Sequence, residues 1–138
     1  MKKMNPVVHF EMPAEDKDRM VNFYTNVFGW SAQRLGPEMG NYIIVQTTET
    51  EKNGFPKNPG IINGGFFEKT KDNVHPSVVI AVDDIHASMK SVEAAGGKVL
   101  GGSFKAGEPD DIPGVGLYCA IIDTEGNRIS MLQPNPKM

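Results

Sequence analysis

The 138-residue chain has 39% hydrophobic and 22% charged residues, a formal net charge of -3 and a pI near 5.6. Such a balance suits one compact domain, or two small modules on a shared core, and excludes a disordered chain. No Lys/Arg run interleaves with aromatics, so nucleic acid is not an expected partner.

MKKMNP at the start has two lysines but no apolar region after them. No stretch approaches the roughly 18 apolar residues of a spanning helix, so no membrane association is expected and the expected location is the cytoplasm. The single cysteine, Cys119, has no partner for an internal disulfide and lies in the apolar run LYCAII. There it reads as a small buried hydrophobe rather than a nucleophile.

Val7 to Met12 alternates, which places Val7, His9 and Glu11 on one side of a strand and Val8, Phe10 and Met12 on the other. Next comes an amphipathic helix in which Met20, Phe23, Tyr24, Val27 and Phe28 follow the i, i+3, i+4, i+7, i+8 template. Glu15, Asp16 and Asp18 suit its positive end, and Gly29 supplies a left-handed stop. Short strands are predicted near Ser31 to Leu35 and over Tyr42 to Thr47, separated by the turn at Gly36-Pro37. Thr48 to Gly60 reads as a polar surface loop, and Ile61 to Phe67 as a strand interrupted by Gly64-Gly65. Glycines there mark a bulge or a close approach.

From Ser77 the plan recurs, offset by roughly 68 residues. An apolar strand leads to a helix with Ile85, Met89, Val92 and Gly96 along one face, Asp83 or Asp84 as cap, and Gly96-Gly97 as stop. Val99 to Gly102 is a predicted short strand. The long segment Ser103 to Gly116 reads as a loop in which Phe104, Glu108, Asp110 and Asp111 are candidates to gate a cavity. Leu117 to Ile122 and Arg128 to Gln133 form two further strands around the turn at Asp123 to Asn127. The expected fold is therefore α+β, one domain over residues 1–138 built from two βαβββ modules, 5–68 and 74–134. Curved mixed sheets from the two modules are expected to enclose a concave cleft.

The module order, with His9, Phe23, Tyr24, Phe28, Gly29 and Trp30, then Val82-Asp83-Asp84 with Gly96-Gly97, then Asp123, Gly126, Asn127 and Ile129, resembles the vicinal oxygen chelate superfamily. That superfamily includes glyoxalase I, bleomycin-resistance proteins and extradiol dioxygenases. The resemblance implies a divalent metal (zinc, nickel, iron or manganese) held by His or Glu from the first and last strands of each module. Only His9 matches these positions; the others fall on Ser77, Ser130 and near Ile62 or Asn63. A lone imidazole among hydroxyls and an amide is a weak donor set, so no metal cofactor is the leading expectation. The alternative is a rearranged set of His9, Glu11 and His75.

The leading expectation for function is a glyoxalase/bleomycin-resistance-like protein that binds a small organic molecule in the cleft. His9 and Glu11 are the candidate catalytic pair, and Asn63, Ser77, Tyr118, Ser130 and Trp30 the candidate ligand contacts, with aromatic walls from residues such as Tyr42, Phe66 or Phe104. His9 and Glu11 on a solvated sheet surface is an equally available reading of that pair. If the protein is an enzyme, the resemblance implies a glyoxalase-like lyase or a dioxygenase. The rival classes are such a metal-dependent enzyme and a protein-interaction module. A homodimer is the expected assembly.

Overall fold

A computed structural model describes residues 3–135. Among them are nine strands and two α-helices: β1 (Val7–Ala14), α1 (Lys17–Phe28), β2 (Ser31–Arg34), β3 (Ile43–Gln46), β4 (Asn63–Glu68), β5 (Ser77–Ala81), α2 (Ile85–Ala94), β6 (Lys98–Gly101), β7 (Asp110–Ile112), β8 (Gly116–Ile122) and β9 (Arg128–Pro134). The chain divides into two compact units, one of His9–Ser77 and one of the residues up to Val8 with those from Val78 onward.

In the unit His9–Ser77 the strands lie in the order β2-β3-β4-β1. β1 runs parallel to β4, with His9 opposite Asn63, Phe10 opposite Gly64 and Glu11 opposite Gly65, while the other pairs are antiparallel. α1 forms where the sequence predicts it. Asp16 accepts the Arg19 N–H at its start, and Gly29 (φ 73°) ends it by returning its N–H to the Thr25 carbonyl. The buried core is Ala14, Ile43, Val45 and Phe66, with Phe10, Met12, Met20, Val21, Tyr24 and Trp30 packed on it.

The helix meets this core through Met20, Val21 and Tyr24, a narrower stripe than the sequence template. Phe23, Val27 and Phe28 are more than half exposed. At 100° per residue Met20, Tyr24 and Val21 fall within one sector and Phe23 lies about 60° to its side, while Val27 and Phe28 sit in the helix's last turn.

In the other unit the order is β5-β9-β8-β6, again with the first and last strands parallel and the rest antiparallel. The α+β repeat of two βαβββ modules is therefore a repeat of topology as well as of pattern. Asp84, rather than Asp83, caps α2 by accepting the Ala87 N–H, and Asp83 instead pairs with Lys3 at 2.8 Å. Ile85 is fully buried and Met89 and Val92 pack beside it on Val82, Cys119, Ile121 and Met131.

The segment Ser103 to Gly116 is not wholly a loop. Gly101 (φ 92°) breaks β6 with a register shift, and β7 then continues along the same edge of β8, pairing Asp110 with Tyr118. Asp110 is buried and accepts the N–H groups of Ser103 and Phe104, so it pins the start of the segment to β7. Among the described residues no helix is long and apolar enough to cross a membrane.

Candidate functional site

Strand parity separates two chemistries on the sheet of the unit His9–Ser77. One face carries Phe10, Met12, Ile43, Val45 and Phe66 against α1. The other carries His9, Glu11, Asn63 and Gly65.

On that second face His9, Tyr42 and Glu11 form a chain. The Tyr42 hydroxyl donates to Glu11 Oε2 at 3.0 Å and lies 3.2 Å from His9 Nε2. Glu11 is only 9% exposed. Burial lowers the His9 pKa from its ordinary 6.5 to about 4, so the imidazole is neutral at pH 7. A half-buried neutral imidazole joined through a phenol to a carboxylate is a donor-acceptor relay that can exchange hydrogen bonds, or a proton, with a bound molecule.

Tyr42 reaches this position because Gly65 has no side chain: a methyl group there would overlap the tyrosine hydroxyl. Gly64 plays the matching part on the helix-facing side, where the Phe10 ring covers it. The expected interruption of β4 by glycines is thus a pair of close approaches, one on each face.

Asn63, opposite His9, has its amide committed. Oδ1 accepts the Thr47 N–H at 2.8 Å and Nδ2 donates to Thr50 Oγ1 at 3.0 Å, which ties the preceding loop to the strand.

In the other unit, Tyr118 and Ser130 share a 2.6 Å hydrogen bond on the face away from α2, with Ser130 2% exposed. The residue paired with Ser130 in register is Val79, two positions beyond Ser77. Ser77 opens β5 half-buried. Trp30 stacks on Tyr24 with ring centroids 4.8 Å apart and also meets Phe10 and Phe28, on the opposite side of its sheet from His9. Phe66 is core, on the helix-facing side of its sheet, and Phe104 is exposed. Burial raises the pKa of the Cys119 thiol.

Within the unit His9–Ser77 the donor set is weak for a divalent metal. Three or more strong ligands are the norm. Here the expected positions offer one imidazole already hydrogen-bonded at Nε2, a committed amide and a serine. His75, the candidate for a rearranged set, is exposed. Among the described residues no three His, Cys, Asp or Glu side chains come together as a metal-holding group.

The least legible participant was Tyr42. Sequence parity pairs His9 with Glu11, but the bridging phenol comes from a distant segment and depends on the β3–β4–β1 register. The one local signal was a glycine inside an otherwise β-rich strand.

Residues 7–131 match the family described as "Glyoxalase/Bleomycin resistance protein/Dioxygenase superfamily". The Mycobacterium tuberculosis protein "Putative glyoxylase CFP32" is 31% identical over 130 residues, which is 92% of this chain and 43% of that protein. This chain therefore spans less than half the length of that relative. The "Probable lactoylglutathione lyase" of Vibrio cholerae is 28% identical across 92% of this chain and 89% of its own. Among solved structures, methylmalonyl-CoA epimerase from Mycobacterium tuberculosis superposes with a TM-score of 0.65 at 14% identity, over 99% of this chain and 95% of that one. At that identity the likeness is one of fold.

Proposed function

We propose, from the premise that this chain belongs to the glyoxalase/bleomycin resistance protein/dioxygenase superfamily, that it binds a small organic molecule without a metal, against the His9–Tyr42–Glu11 face. The observation that carries this reading is the hydrogen-bonded triad itself. It joins a neutral imidazole, a phenol and a carboxylate on the sheet face that α1 leaves uncovered. The bound molecule meets one acid-base pair, His9 and Glu11, with Tyr42 between them. That arrangement serves either sequestration or proton-transfer chemistry.

The reading extends to a homodimer in the cytoplasm, a compartment compatible with the lone buried thiol of Cys119. The curated relatives bearing lyase and glyoxylase names support a second reading, a metal-assisted lyase, and the two diverge on one experiment. A library of small carbonyl, hydroxyl and aromatic compounds is screened for a rise in melting temperature, with and without added nickel or zinc. The proposal expects compounds that stabilise the wild type with no metal present and lose their effect in His9→Gln and Glu11→Gln. Stabilisation that requires the metal would replace it with the lyase reading.

A further inference from the structure

We propose that Tyr42 is a positioning residue: wedged between His9 and Glu11, it fixes His9 as the Nε2–H tautomer and leaves Nδ1 as a bare acceptor for a ligand's hydroxyl or amine donor. The ligand half rests on the reading above; the tautomer half does not.

A carboxylate only accepts, so the single Tyr42 proton goes to Glu11 Oε2 at 3.0 Å. What remains on the phenol oxygen is lone pairs, and the His9 Nε2 facing it at 3.2 Å must then carry the hydrogen. A neutral imidazole has one N–H, so Nδ1 is left without a proton. Nδ1 has no hydrogen-bond partner among the described residues, and no buried polar side-chain atom among them lacks one, so Nδ1 is open to an incoming molecule.

The phenol is held from several sides. The Pro37–Met39 turn ends in two left-handed residues, Gly40 (φ 67°) and Asn41 (φ 55°), which deliver Tyr42 to the start of β3. Its backbone is then fixed by Leu35 N–H donating to its carbonyl at 2.9 Å and by its own N–H donating to Met39. Lys17 Nζ donates to the Asn41 carbonyl at 2.8 Å, and the missing side chain of Gly65 leaves the slot for the hydroxyl.

The chemistry selects a class of ligand. A bare nitrogen offers an acceptor, which suits a neutral or cationic molecule carrying O–H or N–H. A carboxylate or phosphate would meet a lone pair.

The full chain labelled with [15N]histidine is studied at pH 8, where an imidazole of ordinary pKa is neutral. Two-bond 1H–15N correlation gives the tautomer of each of the three histidines, and His9→Gln identifies the His9 signals. The expected result is a pyrrole-type Nε2 and a pyridine-type Nδ1 for His9. Both should move towards averaged values in Tyr42→Phe and in Gly65→Ala, and stay in place in Tyr24→Phe. An averaged or Nδ1–H imidazole in the wild type, or no change in Tyr42→Phe, would overturn the tautomer assignment.

Phenol and benzoate then serve as probes. Phenol should shift His9 Nδ1 and benzoate should not. A larger shift with benzoate, or none with either, would overturn the ligand class and leave the tautomer result standing.

Discussion

The two modules share strand order, parallel first and last strands and an aspartate-capped helix, yet the faces they turn away from their helices differ. The first carries an imidazole, a phenol and a carboxylate in one hydrogen-bonded chain. The second carries Tyr118 hydrogen-bonded to Ser130, beside Val79 and Ala120. One topology repeated does not mean one chemistry repeated. The cores and caps are under the same packing demand in both copies, whereas the faces turned away from the helices are not.

The sharpest way to break this contrast is to fill the first module's slot. Gly65→Val drives a branched side chain into the space of the Tyr42 hydroxyl, and overpacking of this kind should cost about 3 kcal/mol in urea unfolding. Next in size is the pH response. Because the folded His9 has a pKa near 4 against 6.5 unfolded, the unfolded chain takes up its proton first as pH falls. Stability should therefore drop between about pH 7 and pH 4, by on the order of 2–3 kcal/mol, and this group adds nothing further below pH 4. His9→Gln should flatten that slope, measured as the change in urea midpoint, while a Ser130→Ala change in the second module leaves the slope intact.

Ser130→Ala itself removes one hydrogen bond to Tyr118 and should cost about 1 kcal/mol at every pH. Smallest are the caps, where the modules agree. Asp16→Ala and Asp84→Ala should each lower stability by ~1 kcal/mol, and nearly equally, since each removes one carboxylate from one helix N-terminus.

What the residues disclose in order along the chain is what depends on near neighbours. Helix stops at Gly29, the Asp84 cap and the alternation of β1 are local, and each is present in the structure. Parity alone also put His9 and Glu11 on one face. Tyr42 as their bridge was hidden, because its place depends on pairing three strands and on Gly65. Trp30 had no local marker of its side; the stacking on Tyr24 and Phe10 sets it against α1. β7 was hidden by Gly101, whose left-handed backbone ends one strand so that another can follow on the same edge.

The most direct measurement of the central claim is a metal titration of protein purified without chelator, with nickel, zinc, manganese and iron(II) followed by calorimetry and elemental analysis. The hydrogen-bonded triad predicts no stoichiometric submicromolar binding of any of the four, and His9→Gln should leave the traces unchanged. One tightly bound equivalent, lost in His9→Gln, would contradict it.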